Sequence, residues 1–127
     1  MQTAERIIRI QNDATAAAYA LEEPSVALKD GGSEGWKLRP LQYGGMQVSI
    51  FEADPAAQYP VHSTAGTYVG VVIRGEGILV LADSAHRIQK EIPFRMGDIL
   101  VFEPDTPHGW KAGERGVEIA FFNREQA

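Results

Sequence analysis

The chain has 127 residues, no cysteine and a formal net charge of −5, from 12 basic and 17 acidic residues. This length fits a single domain with a hydrophobic core, and 44% hydrophobic residues is ordinary for a globular protein. Because cysteine is missing, disulfides, thiolate nucleophiles and thiolate metal ligands are excluded. The basic residues are scattered rather than gathered in a stripe, so we do not expect a nucleic-acid partner.

No apolar run approaches the roughly 20 residues that a membrane-spanning helix needs. The first ten residues carry three charges, at Glu5, Arg6 and Arg9, and have no apolar signal-peptide core. We therefore expect no membrane partner and a cytoplasmic location.

Residues 1–36 differ in composition from the rest of the chain. An isoleucine-rich segment, 7–10, predicts a short strand. An alanine-rich segment, 14–22, predicts a helical turn with Asn12 or Asp13 as its N-cap. We expect this N-terminal extension to wrap or extend the main domain and to contribute dimer contacts.

From residue 37 to 127 the pattern is that of an all-β domain. Turn residues recur about every 8–12 positions, which indicates a sandwich or barrel. The segment 74–77, with glycines at 75 and 77, predicts a hairpin turn between two apolar strands. The predicted strands cover 36–41, 46–53, 67–73, 78–82, 88–92, 99–102 and 117–121.

Two histidines stand out by their local sequence. His62 closely follows Pro60 at the predicted start of a strand, and His108 follows Pro107 at the predicted end of another. A nearby proline restrains the backbone and helps to fix where a side chain points. The two histidines therefore predict one pocket.

The spacing of these segments resembles the cupin superfamily. The first cupin motif reads Gly-x5-His-x-His-x3,4-Glu-x6-Gly, and His62 and Gly75 match its first histidine and its closing glycine. The second motif reads Gly-x5-Pro-x-Gly-x2-His-x3-Asn, and Gly97 and His108 match its first glycine and its histidine. The resemblance covers about residues 38–122 and implies a double-stranded β-helix, the jelly-roll barrel.

The resemblance also implies a divalent metal (Fe, Mn, Ni or Zn), which typical cupins hold with three histidines and a glutamate. Here Thr64 takes the place of the second histidine and Tyr68 that of the glutamate. His62 and His108 would be two ligands, and Tyr68 could supply a phenolate as a third. Strand parity predicts that Thr64 and Tyr68 face the same cavity as His62.

Three interpretations of His62, His108 and Tyr68 follow. They form a reduced metal site, completed by Tyr68 or by a substrate atom. Alternatively they form a metal-free pocket in which the imidazoles act as acid and base or bind a ligand. In the third, the histidines are structural and hydrogen-bond to the backbone at the barrel mouth.

Further residues are candidates for the pocket wall. Trp110 lies two positions after His108, so its ring can face the cavity or pack on the outer side. Tyr59 and Phe121 are further wall candidates, with core packing as the alternative for each. Thr64 can donate a hydrogen bond to a ligand. His86 lies in a polar hairpin tip and is expected to be exposed.

Two functions are consistent with this pattern. The first is a metal-dependent enzyme of dioxygenase, isomerase or lyase type that acts on a small organic molecule, with Tyr68 and His108 as catalytic residues. The second is a metal-free, non-catalytic barrel that binds a small ligand. A homodimer is expected in both, because dimers are the commonest assembly of soluble proteins.

Overall fold

The computed structural model describes residues 6–24, 29–30 and 34–124. The first five strands are β1 (Arg6–Asn12), β2 (Ala18–Pro24), β3 (Lys29–Asp30), β4 (Trp36–Tyr43) and β5 (Met46–Ala53). The others are β6 (Gln58–His62), β7 (Tyr68–Ala82), β8 (Ile88–Arg95), β9 (Ile99–Phe102) and β10 (His108–Arg124).

The strands form two sheets, and the larger one is the barrel. Its eight strands run in the order β3-β4-β5-β10-β7-β8, while β6 also pairs with β10 and β9 also pairs with β7. This arrangement confirms the predicted all-β jelly-roll. The described residues contain no helix that could cross a membrane.

The long strands β7 and β10 pair with each other along the barrel sheet. The hairpin turn predicted at 74–77 is wrong. β7 continues through this segment and pairs with β10 on both sides of a register shift. Gly75 has φ +81° and Gly116 has φ +73°, and a Cβ on Gly75 would overlap the carbonyl oxygen of Gly116. The glycines therefore bend two paired strands, and no turn between strands forms.

The N-terminal segment is a β-hairpin, so the helical turn predicted at 14–22 is also wrong. β1 pairs with β2 along its whole length. The Asp13 carboxylate accepts hydrogen bonds from the backbone N–H groups of Thr15, at 2.8 Å, and Ala17, at 3.2 Å. Asp13 thus closes a tight loop between two strands instead of capping a helix. The strand predicted at residues 7–10 lies within β1.

The hydrophobic core lies inside the barrel. Its most buried side chains are Val72, Val117 and Ile119, each no more than 1% exposed. Every second residue of a strand faces the same side, so Tyr68, Gly70 and Val72 on β7 face inward. The barrel interior is mostly aromatic, with Trp36, Phe94, Phe102, Trp110 and Phe121 in the core cluster.

Candidate functional site

A cavity of about 240 Å³ opens within the aromatic side of the barrel. The side chains around it are aromatic, aliphatic, hydroxyl-bearing or imidazole groups, and none of them is an acid, a lysine or an arginine. They are Trp36, Leu38, Phe51, Tyr59, His62, Thr64, Tyr68, Phe102, His108, Trp110 and Phe121.

The two histidines meet at this cavity because their strands pair. His62 is the last residue of β6 and His108 the first of β10, the reverse of the strand positions predicted from the prolines. The two residues are register partners, and neighbouring side chains of paired strands lie on the same face. Their ring centroids are 4.5 Å apart, with 53° between the ring planes.

Backbone carbonyls hold both imidazole rings. Nδ1 of His62 lies 3.1 Å from the carbonyl oxygen of Pro60, and Nδ1 of His108 lies 2.7 Å from that of Thr106. A carbonyl oxygen only accepts, so Nδ1 of each ring is the donor. In the neutral imidazole, Nε2 is then the atom with a free lone pair. Both rings are therefore oriented by the backbone as acceptors at Nε2.

His108 is the more buried of the two histidines, at 6% exposed. Burial lowers the pKa of His108 below its ordinary value, since the protonated form loses hydration, and the neighbouring His62 lowers it further. The hydrogen bond to the Thr106 carbonyl acts in the opposite direction without overcoming burial. At neutral pH, His108 is therefore an uncharged acceptor in the cavity wall.

The floor of the cavity is a packed aromatic layer centred on Trp110. Trp110 lies two residues after His108 on β10, so strand parity brings its ring to the same face. Its ring centroid lies 5.5 Å from that of Phe102 and 5.8 Å from that of Phe121. Gly70 makes room for this layer, because a Cβ there would lie 2.7 Å from the Phe121 ring. The floor is thus rigid and apolar.

Three residues with hydroxyl groups also line the cavity. The Tyr59 ring packs edge-on against His62, with 4.6 Å between ring centroids. Tyr68 opens β7 beside Phe102 of β9. Thr64 lies in the loop after β6, and its carbonyl accepts a 2.7 Å hydrogen bond from the Asp105 N–H. This bond ties together the loops that follow His62 and precede His108.

All seven wall candidates proposed from the sequence line one cavity; they are Tyr59, His62, Thr64, Tyr68, His108, Trp110 and Phe121. His86 is exposed in the loop between β7 and β8, away from the cavity. The sequence reasoning missed four wall residues. The signal that could have identified them is the alternation of residues along each strand, which places every second side chain on the inner side. They are Trp36, Leu38, Phe51 and Phe102.

The side chains around the cavity offer few ligands for the divalent metal that the resemblance implies. Among the described residues, no three histidine, aspartate, glutamate or cysteine side chains come together. A divalent metal on His62 and His108 would place a double positive charge in an apolar cavity whose wall has no carboxylate, and only a phenolate of Tyr68 could offset part of that charge. Such a charge is costly to bury without opposite charge, and most protein metal sites use three or more protein ligands. The two histidines without a Tyr68 phenolate therefore do not fit a resident divalent metal.

Comparison with known proteins was informative only at the level of structure. No protein-family model matches the sequence, and no curated protein matches it. Solved structures do match.

An RmlC-like cupin from Shewanella frigidimarina is similar over 80% of this chain and 85% of its own, with 20% identity and a TM-score of 0.62. An RmlC-like cupin from Desulfovibrio desulfuricans is similar over 70% of this chain and 81% of its own, with 24% identity and a TM-score of 0.56. Oxalate decarboxylase of Bacillus subtilis is 17% identical over 77% of this chain, with a TM-score of 0.65. The chain spans only 27% of that enzyme's length. The Bacillus subtilis enzyme contains Mn(II) centres. At these identities the likeness shows the fold.

Proposed function

Taking the cupin fold as the premise, we propose that this barrel binds a small, neutral and largely apolar organic molecule. The observation that carries the proposal is a wall of eleven residues without one charged side chain. An apolar pocket with a few placed polar groups is typical of small-molecule sites. The wall offers no lysine or arginine to a buried carboxylate or phosphate group.

The size of the cavity favours a small ligand. At about 240 Å³ it is smaller than the roughly 300–1,000 Å³ of sites for drug-sized molecules. An apolar cavity of about 150 Å³ holds benzene in an engineered protein. A single substituted ring is therefore the class of ligand that the cavity fits.

The polar groups favour a ligand that donates a hydrogen bond. The Nε2 atoms of His62 and His108 are acceptors, because both Nδ1–H groups are used by backbone carbonyls. A phenol or alcohol hydroxyl can donate to one of them, whereas a carboxylate cannot. The same imidazoles can take up and return a proton at that hydroxyl.

Both tryptophans of the chain, Trp36 and Trp110, line the cavity, so their fluorescence reports its occupancy directly. We expect phenol and toluene to change the emission on titration, and benzoate to leave it unchanged. In His62→Phe and His108→Phe, phenol affinity falls about three- to tenfold, the range of one lost hydrogen bond. Toluene affinity is unchanged or higher in both variants.

The control is His86→Phe, which changes the third histidine of the chain, outside the cavity. It should bind both probes like the wild type. Tighter binding of benzoate than of phenol, or equal loss of phenol and toluene in the cavity variants, would contradict the proposal.

The second candidate is a metal-dependent enzyme of dioxygenase, isomerase or lyase type. One observation favours it: each imidazole donates Nδ1–H to the backbone, the arrangement that orients many metal-binding histidines. Elemental analysis after reconstitution with iron, manganese, nickel or zinc tests it. Stoichiometric metal that is lost in His108→Ala and kept in His86→Ala would establish this candidate, and metal-free protein would remove it. The predicted homodimer is proposed for both candidates.

A further inference from the structure

The two imidazoles of the cavity form a pair of hydrogen-bond acceptors. His62 and His108 are register partners on β6 and β10, and their ring centroids lie 4.5 Å apart. Each ring donates its Nδ1–H to a backbone carbonyl, so neither neutral ring has a proton left for the other. In the part of the chain that the structure describes, no side chain donates to Nε2 of either ring.

These acceptors lie where a ligand would replace water. Nε2 is the ring nitrogen remote from the main chain, and both rings line the cavity. His108 is only 6% exposed. An acceptor that is shut off from water without a donor costs free energy, because it loses its hydrogen bond to solvent. A molecule that fills this part of the cavity is therefore favoured if it supplies both hydrogens.

The number of hydrogens distinguishes the possible ligands. One hydroxyl carries a single hydrogen and cannot satisfy both acceptors. A water molecule carries two hydrogens and can donate to both rings. A ligand with one hydroxyl that displaces such a water leaves one acceptor unpaired, which costs affinity. A ligand with two donors on neighbouring atoms replaces both bonds.

The hydroxyl groups of the wall are less selective than the imidazoles. Those of Tyr59, Thr64 and Tyr68 rotate about their C–O bonds and both donate and accept, so they adapt to many ligands. The imidazoles are held by carbonyl contacts of 3.1 Å and 2.7 Å. Because a preorganised group loses little freedom on binding, the imidazole pair is the feature that selects the geometry of a ligand.

We propose that the ligand of this barrel is a ring with two hydroxyl groups on adjacent carbons, one donating to Nε2 of His62 and the other to Nε2 of His108. The proposal rests on the small, apolar cavity ligand proposed above and specifies its polar edge. Rings 4.5 Å apart suit two neighbouring hydroxyls, whereas hydroxyls at opposite ends of a ligand point apart. The ligand ring then lies on the apolar floor around Trp110.

Three probes of similar size test this proposal by calorimetric titration of the wild type, in the absence of air because dihydroxybenzenes oxidise. Phenol has one hydroxyl, catechol has two on adjacent carbons, and hydroquinone has two at opposite ends. We expect catechol to bind about three- to tenfold more tightly than phenol, the gain of one added hydrogen bond. Hydroquinone should bind no more tightly than phenol, since its second hydroxyl faces the apolar side of the cavity.

The ratio of catechol affinity to phenol affinity locates the two hydrogen bonds. In His62→Phe and in His108→Phe only one imidazole acceptor remains, so the ratio should fall to about one in each variant. His86→Phe is the matched control, because it replaces an exposed imidazole outside the cavity, and it should keep the wild-type ratio. Circular dichroism shows that each variant is folded, and the comparison of probes on the wild type needs no variant.

Other results overturn the inference. If the wild type binds phenol and catechol equally, or hydroquinone as tightly as catechol, the imidazoles do not act as a pair, while the proposed function stands. A ratio that is kept in either cavity variant shows that the second hydroxyl binds elsewhere. Binding of neither phenol nor toluene would remove the proposed function as well.

Discussion

On the inner face of the sheet, aromatic side chains and two histidines enclose a cavity, while aliphatic side chains lie exposed on the outer face of the same strands. Phe121 and Phe122 show the contrast at neighbouring positions of β10, at 7% and 45% exposed. A strand that is apolar on both faces is expected where both faces are covered. The inner face is covered by the barrel itself, whereas Ile99, Val101 and Phe122 on the outer face are exposed.

The largest expected effect comes from the two phenylalanines. Phe121→Ala removes a ring whose centroid lies 5.2 Å from that of Phe51 and 5.8 Å from that of Trp110. We therefore expect a loss of about 3–5 kcal/mol in the free energy of unfolding. Phe122→Ala should cost less than about 1.5 kcal/mol, because this side chain is 45% exposed. Urea unfolding measures both losses. Equal losses would remove the distinction between the faces.

The next effect concerns two ion pairs that differ in burial. Glu118 is 4% exposed, and its carboxylate accepts a 2.7 Å hydrogen bond from Arg74 Nε. Arg74→Met leaves this carboxylate buried without its partner, so we expect a loss of about 2–3 kcal/mol. Lys111→Met breaks a 3.5 Å ion pair with Glu91, in which the Lys111 side chain is 40% exposed and the Glu91 side chain 45% exposed. This variant should change the free energy of unfolding by less than about 1 kcal/mol. Similar losses of unfolding free energy in the two variants, measured in urea, would show that burial does not determine how much an ion pair stabilises the protein.

The sequence predicted the barrel better than its connections. Glycine spacing and alternation predict the all-β fold, but they also predict a hairpin turn at Gly75 that does not form. The positive φ of Gly75 serves a bend inside a continuous strand, and the local sequence of a bend resembles that of a turn. Whether a bend or a turn forms depends on whether β10 pairs with β7 on both sides of Gly75. This pairing joins segments that are distant in the sequence.

The N-terminal hairpin shows the same limit. Alanines at 14–22 favour a helix by propensity, yet the Asp13 side chain binds the backbone of Thr15 and Ala17 and turns the chain. In the site, the segments of His62 and His108 predicted one pocket, because paired glycines and prolines fix local geometry. Trp36 and Phe51 were missed, since their place in the wall is set by register between strands.

The smallest effect expected is on pH dependence. The pKa of His108 is lowered by burial, so the unfolded chain binds a proton at His108 more readily than the folded one. This contribution to stability is complete above the unfolded pKa of about 6.5 and is lost as pH falls below it. We expect the urea midpoint to fall between pH 7 and 5, and to fall less in His108→Gln. The exposed His86→Gln control should behave like the wild type; equal pH dependence in all three proteins would exclude a role for His108.

The most direct measurement of the central claim is the ¹⁵N resonance of each imidazole nitrogen at pH 8. The account predicts that His62 and His108 carry the proton on Nδ1, as their carbonyl contacts require, and that phenol shifts their Nε2 resonances but not that of His86. A proton on Nε2 in either ring, or Nε2 resonances that do not respond to saturating phenol, would contradict it.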